Sequence, residues 1–299
     1  MNSSPSADAT ARDTRPCLVV DLDVVRENYV GFAKALPDTR VFYAVKANPS
    51  PEVLSLLASL GSCFDTASVV EIEQALAAGA TPDQDQLRQH HQEGARHRAR
   101  LRDGRSAVRR RLRGGSRKDR ARRAGLKVFC RILCDGSGAE WPLSRKFGCV
   151  PEMATGVLEH AHRLGLNAYG VSFHVGSQQT NPRMWDGALK SAADIFRELA
   201  ERGINLQMVN LGGGFPTKYL KNVPAVRQYG NAIFRALTKH FGNRIPETII
   251  EPGRGMVGNA GLIEAEVVLI SKKSEDDGGF AGSISTSASS TGSPRRRMR

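Results

Sequence analysis

The sequence predicts a (β/α)8 barrel of the TIM type. Three observations carry that prediction. Short apolar runs alternate with amphipathic stretches along most of the chain. They return at about forty-residue spacing, the rhythm of a parallel sheet covered by helices. Polar residues of chemical interest stand where the apolar runs end, at Lys46, Asp65, His174, Gly212 to Gly214 and Glu251 to Arg254. In a closed barrel those ends converge on the one face that carries chemistry. An open doubly wound sheet is the alternative, and it would not gather six successive strand ends round one centre.

Taken in order, residues 17–22 read as a strand, and Val24 to Leu36 as a helix with apolar positions at Val24, Val25, Phe32 and Leu36. Pro37-Asp38 turns the chain into a second strand over Val41 to Val45. A helix runs from Pro51 to Leu60, with proline at its start and Gly61 as its stop. Residues 63–68 form a third strand, followed by a helix from Val69 to Ala78 that Gly79 closes. The rhythm resumes with a strand at Lys127 to Cys134, a helix at Pro151 to Leu164 and a strand at Ala168 to His174. A helix at Met184 to Arg202, a strand at Leu206 to Leu211, a helix at Val226 to Phe241 and a strand at Thr248 to Glu251 complete it.

The second strand delivers Lys46 to the edge of the sheet. An amine that leaves a dry strand end among other polar groups is placed to condense with a carbonyl carbon. A lone lysine where a strand meets a loop is more often a solvated surface group. The ordered set of strand ends that follows gives this one its weight.

Composition narrows the field. The chain has 299 residues and 40% apolar content, enough for a sizeable core. No apolar run is long enough to span a bilayer, and the first fifteen residues lack the apolar segment of a secretion signal, so the expected location is the cytoplasm with no membrane partner. Five cysteines, an odd number without a repeated CxxC spacing, suggest neither a disulfide framework nor a metal site. The net charge of +13 is concentrated in two patches. Residues 85–125 hold fourteen Arg and one Lys against four acids, with no aromatic, no Ile and one Val, and the tail after Asp277 adds four Arg and no acid. A basic insert that binds RNA or DNA through phosphates is one reading of such a patch. It lacks interleaved aromatics for stacking on bases, so nucleic acid is not an expected partner.

Five ordered motifs carry a resemblance. Residues 42–48 (FYAVKAN), residues 64–68 with Glu71 (FDTAS and E), residues 172–177 (SFHVGS), residues 212–216 (GGGFP) and residues 251–254 (EPGR) resemble those of the pyridoxal-phosphate decarboxylases of the alanine racemase fold. Within that group the closest resemblance is to ornithine decarboxylases, reinforced by residues 141–148 (WPLSRKFG). It covers roughly residues 15–84 and 126–277. Diaminopimelate decarboxylases share the His-x-Gly-Ser and Glu-Pro-Gly-Arg segments, so the motifs specify the family better than the substrate.

The resemblance implies pyridoxal 5'-phosphate as cofactor, a basic amino acid as substrate and a homodimer in the intact family member. Lys46 would hold the cofactor covalently, and His174 would stack on its pyridine ring. Glu251 would pair with the pyridine nitrogen and keep the ring an electron sink. Ser177, the backbone N–H groups of Gly213 and Gly214, and Arg254 would grip the phosphate. Asp65 and Glu71 would be supporting polar groups around the lysine and the ring. The expected reaction is decarboxylation of ornithine to putrescine, or of lysine, arginine or diaminopimelate on the same fold. A non-catalytic cofactor-binding homologue is the reading from outside catalysis.

Two departures from the family pattern stand beside the match. Where the family places its third and fourth barrel strands, residues 85–125 contain nothing suited to a buried strand, so the expected barrel is incomplete. Codons can be chosen for residues 87–125 that, read one base later, encode a polar strand end, a strand and an amphipathic helix. The same holds two bases later from Gly278 onward. We therefore expect both basic patches to be frameshifted translation of a GC-rich gene, which resequencing tests. The chain also leaves the family pattern after Asp277, where the family's sheet domain supplies groups that complete the partner's active site. The expected organisation is a disordered N-terminus over 1–14, a barrel domain over 15–277 with a remnant of a β-sandwich, and a disordered basic tail over 278–299. The expected activity is weak or absent.

Overall fold

A computed structural model describes residues 16–81, 126–141 and 147–265, together with the backbone of three short strands beyond them. It divides into two compact units, one of Asp23–Asn259 and one of Met1–Leu22 with Ala260–Arg299. The expected segments 1–14 and 85–125 lie outside the described residues.

The first strand, β1 (Cys17–Val20), belongs to the smaller unit. In the larger unit α1 (Leu22–Ala35) leads to β2 (Thr39–Ala44), then α2 (Pro51–Ser59), β3 (Cys63–Asp65) and α3 (Val69–Ala77). The chain continues through β4 (Lys127–Arg131), β5 (Ala139–Trp141), α4 (Pro151–Arg163), β6 (Asn167–Ser172) and β7 (Ser177–Gln179). It closes with α5 (Met184–Glu201), β8 (Met208–Asn210), α6 (Val226–Phe241), β9 (Glu247–Ile250) and the short α7 (Arg254–Val257). Among the described residues no helix is long and apolar enough to cross a membrane.

Six strands form one sheet in the order β3-β2-β9-β8-β6-β4, and every pairing in it is parallel. The decisive pairing is β2 with β9, Thr39 opposite Thr248 and Val41 opposite Ile250. It puts the first strand of the unit beside the last, as in a barrel, while the other neighbours follow chain order. The break in the ring falls between β3 and β4, where the sequence carries the basic tract. The fold is an incomplete TIM barrel of parallel strands and helices. Phe42, Cys63, Tyr169, Met208 and Ile249 make one buried cluster with Phe129 packed against it, so each of the six strands contributes one side chain.

The helices pack by their apolar stripes. On α5 the buried residues Trp185, Ala188, Leu189, Ala192 and Leu199 recur at three- and four-residue steps, and on α6 Tyr229, Ile233 and Leu237 do the same. Four aromatics lock the loop after β8 in place. Phe215 stacks on Trp185 at 5.1 Å and meets Phe32 edge-on at 5.0 Å, while Tyr229 closes on Trp185 at 5.6 Å. Their polar atoms are used as well, Trp185 Nε1 donating to the Leu211 carbonyl (3.1 Å) and the Tyr229 hydroxyl to the Gln179 carbonyl (2.7 Å). The consequence is a rigid floor beneath Gly212 to Gly214.

In the smaller unit β1 pairs antiparallel with β10 (Gly261–Glu264) and parallel with β13 (Arg296–Met298), and β11 (Leu269–Ser271) pairs with β12 (Ala281–Ser283). This differs from the expected organisation in two respects. Cys17–Val20 joins residues beyond 260 and not the barrel sheet, and the tail after 278 contributes two strands where none was expected. Backbone pairing is open to any non-proline residue, so a Gly/Ser-rich stretch forms it without an apolar pattern to announce it.

Candidate active site

Each strand of the large sheet ends at a polar residue, and the last turns bring these together. The chain leaves β2 at Ala44 and enters a 3-10 turn, Val45–Ala47, that carries Lys46 with its side chain exposed. The end of β9 lies against this turn. The Ala44 N–H donates to the Pro252 carbonyl (3.1 Å), which extends the β2–β9 ladder into the Glu-Pro-Gly-Arg segment. A Cβ on Gly253 would sit 3.1 Å from the Ala47 Cβ and 3.2 Å from the Ala44 Cβ, so this contact excludes a larger residue without adjustment.

The β8 end is tied to the β9 end just as closely. Asn210 is 1% exposed, and its amide bridges two partners: Nδ2 donates to Glu251 Oε1 (2.5 Å) and Oδ1 accepts from the Gly212 N–H (2.8 Å). The Glu251 N–H in turn donates to the Gly212 carbonyl (2.8 Å). A Cβ on Gly213 would fall 2.5 Å from the Glu251 carbonyl oxygen and 3.5 Å from His174 Nε2. Gly214 has a φ of +98°, and a Cβ there would lie 2.3 Å from the Gly176 carbonyl oxygen. Glycine is required at both places because backbone approaches backbone.

Electrostatics show which side chains share the space. Burial pushes the Glu251 carboxyl up to about 7, with the Asp65 carboxylate adding to the rise and Asn210, Lys46 and Arg131 opposing it. Burial lowers the His174 imidazole to about 4, helped by the positive charges of Arg131 and Lys46. His174 is therefore neutral at pH 7. Its Nδ1 accepts from the Gly176 N–H (3.0 Å), which leaves the proton on Nε2, the atom that faces Gly213. Glu251 thus feels Asp65 and Lys46, and His174 feels Lys46, with Arg131 acting on both, so groups from the ends of several strands share this space. Beside them lies Cys134, whose thiol burial pushes up to about 11 although the His174 backbone acts to lower it.

A second group assembles from β5 and β7, which pair antiparallel with Trp141 opposite Ser177. The Arg254 guanidinium sits over the Trp141 ring at 4.6 Å, and the Gln179 N–H donates to the Gly214 carbonyl (2.9 Å). Ser177, Gly214 and Arg254 are linked through these contacts. Glu71 is engaged locally at the start of α3. Its carboxylate accepts from the Ala67 N–H while its own N–H donates to the N-cap Ser68 Oγ (3.2 Å), so both bonds close the start of α3 just after Asp65.

Three residues outside the sequence-based set belong to this constellation: Arg131, Asn210 and Trp141. A polar residue closing an apolar strand was the available signal for the first two, since Asn210 directly follows Met208-Val209 and Arg131 follows Phe129-Cys130. Trp141 gave no signal beyond its place in a motif. Among the described residues no cluster of three or more His, Cys, Asp or Glu is arranged to hold a metal ion.

The family model for the pyridoxal-dependent decarboxylase, pyridoxal binding domain, matches residues 22–258. The chain is 37% identical over 258 residues to a lysine/ornithine decarboxylase of Selenomonas ruminantium, covering 85% of this chain and 64% of that protein. It is 33% identical over 282 residues to the ornithine decarboxylase of Neurospora crassa, covering 91% of this chain and 54% of that one. The crystal structure of an SrLDC mutant in complex with PLP superposes with a TM-score of 0.72 at 33% identity, over 88% of this chain and 68% of the other. The chain spans between about half and two thirds of the length of these curated relatives. From its six strand ends, its glycine turn and these likenesses, the chain belongs to the pyridoxal-dependent decarboxylases, through their pyridoxal-binding domain.

Proposed function

We propose that this chain carries the pyridoxal-phosphate site of a decarboxylase for basic amino acids, with ornithine to putrescine as the leading reaction and lysine, arginine or diaminopimelate as the alternatives. The observation that supports it most is an amine, a neutral imidazole and a buried carboxyl, from Lys46, His174 and Glu251, after β2, β6 and β9 of one sheet, with the Lys46 charge acting on both of the others. These residues fit the cofactor. When bound, pyridoxal phosphate supplies an electron sink for the pair left behind as carbon dioxide departs.

The chain's own groups then divide the work. Lys46 anchors the cofactor covalently through its amine. Glu251, with Oε1 held by Asn210, would pair with the ring nitrogen, and its carboxyl, raised to about 7, would hold a proton there near neutral pH. The uncharged His174 would stack on the ring, and Asp65, whose charge acts on Glu251, would be a supporting polar group beside it. Ser177, the Gly213 and Gly214 N–H groups and Arg254 hold the phosphate. Trp141 fixes the Arg254 guanidinium from its other face. Glu71 acts at one remove, by closing the start of α3 just after Asp65.

The proposal extends to a homodimeric, cytoplasmic enzyme of polyamine biosynthesis, with weak turnover by this chain because β3 and β4 each have one strand neighbour among the described residues. The test is to add pyridoxal phosphate, reduce with borohydride and map the labelled peptide. The label is expected on the peptide that holds Lys46 and is lost in Lys46→Ala, and labelling spread evenly over other lysines would refute the site. Release of carbon dioxide from carboxyl-labelled ornithine, lysine, arginine and diaminopimelate then ranks the substrates.

A further inference from the structure

Two of the five cysteines are neighbours in space. Cys130 lies on β4, and Cys149 follows the loop after β5 and forms an isolated parallel bridge opposite Ile132. The bridge is closed by two backbone bonds, the Cys149 N–H to the Arg131 carbonyl (3.1 Å) and the Leu133 N–H to the Cys149 carbonyl (2.9 Å). Side chains two apart on a strand share a face, so Cys130 and Ile132 point the same way and Cys149 stands diagonally across from Cys130. The two Sγ atoms are 3.6 Å apart, and both lie close to the Arg131 carbonyl, at 3.9 and 3.7 Å. Both residues are free thiols and half-buried, so a small oxidant reaches them.

We propose that Cys130 and Cys149 form a dithiol modification site that a hydroperoxide converts to an intrachain disulfide. In the first step the Cys149 thiolate attacks one peroxide oxygen, and the O–O bond breaks. Cys149 becomes a sulfenic acid, and the leaving oxygen takes up a proton as water or an alcohol. In the second step Cys130 sulfur attacks the sulfenic sulfur, the S–O bond breaks and a second water leaves with the Cys130 proton. Two thiols lose two electrons in all, and the peroxide gains them.

The order of attack follows from the hydrogen bond between the thiols. The two thiols share that bond and both reach the Arg131 carbonyl; the pairing holds Cys149 below the ordinary thiol range, while the same pairing and burial hold Cys130 well above it. Closing the bond brings the sulfurs from 3.6 Å to about 2 Å, a shift of the size that side-chain rotation and a small movement of one strand supply. Gly148, at φ +101°, stands next to Cys149 and lets the chain lie close against Arg131 and Ile132, which brings the two sulfurs together. The pair is independent of the decarboxylase reading, since neither sulfur contacts a proposed cofactor group. It borders that site, however: Arg131 lies between the two cysteines, and its guanidinium sits over the Phe147 ring at 5.5 Å.

The test treats the reduced full chain with hydrogen peroxide and follows intact mass and non-reducing peptide maps. The expected result is loss of two hydrogens and a linked pair of peptides carrying Cys130 and Cys149, restored to free thiols by a dithiol reductant. Cys134→Ser keeps the linkage, and Cys149→Ala abolishes it and leaves Cys130 free. Linkage of any other pair, or oxidation of Cys149 to a sulfinic acid without cross-linking, overturns the proposal. Because the native chain supplies the primary result, a variant that fails to fold does not obscure it.

Discussion

Strand β8 at the middle of the large sheet and strand β4 at its margin share an apolar centre, Met-Val in one and Val-Phe-Cys in the other, the latter flanked by Lys127 and Arg131. All three residues of β8 are buried, while all five of β4 are half-buried. Composition does not explain the contrast. β8 has β6 and β9 on its two sides, whereas β4 has β6 on one side and on the other the single bridge from Ile132 to Cys149. Neighbours, more than the residues themselves, set how dry a strand is. The same division runs through the site: the Asn210, Gly212 and Glu251 bonds at the centre are short and reciprocal. On the β3 side, Asp65 is half-buried at the margin of the sheet.

The sharpest way to break this contrast is a pair of truncations. Met208→Ala empties space beside a fully buried side chain and is expected to cost on the order of 2–5 kcal/mol, while Phe129→Ala on β4 costs roughly half of that, both read from denaturant midpoints. Equal losses would show that margin and centre are packed alike. Gly213→Ala probes the central bonds, because its Cβ falls 2.5 Å from the Glu251 carbonyl. About 1–3 kcal/mol of destabilisation is expected, with weaker cofactor trapping at Lys46.

A pH series separates the buried groups. His174 at about 4, against an ordinary 6.5, contributes stability that is complete above 6.5 and fades as pH falls towards 4. Glu251 at about 7, against 4.5, contributes stability that is complete below 4.5 and fades as pH rises through 7. The two slopes oppose each other between 4.5 and 6.5 in the cofactor-free chain. Glu251→Gln removes one of them, so stability then rises with pH across that window, by on the order of 1–3 kcal/mol. A flat profile in the variant would rule out a neutral buried His174. The smallest effect is expected at the margin: Ser68→Ala removes the α3 cap for about 1 kcal/mol and speeds amide exchange in α3 while β8 and β9 keep their protection.

The strand and helix rhythm was legible because buried parallel strands leave apolar runs, and α1 to α6 begin and end within two residues of their expected limits, while the one-turn α7 was not expected. The polar strand ends were legible for the same reason, since a lysine or a Glu-Pro-Gly-Arg segment after an apolar run stands out. What escaped has physical causes. Strands β5, β7 and β10 are three or four residues long, and β7 reads Ser-Gln-Gln, with no alternation to detect. Asn210 was hidden inside an apolar run, although one polar residue buried before three glycines is the kind of group that needs partners. Arg131 stood inside the expected strand Lys127 to Cys134, and nothing in sequence tells which of that strand's side chains faces the centre. The proposed roles of Lys46, Glu251 and His174 rested on the family resemblance; in the structure the Lys46 charge acts on both Glu251 and His174.

The adjacency of the barrel's first and last strands has a consequence for chain connectivity. Near the start of α1, Asn28 Nδ2 donates both to the Met256 carbonyl and to Asn259 Oδ1, each at 2.8 Å, so the two ends of the larger unit are stitched side by side. A circular permutant that splices those ends and opens the chain between Thr81 and Leu126 would keep all six strands and every described strand end. The basic tract would then become a pair of dangling tails, which makes its effect on cofactor capture separable from the rest of the barrel.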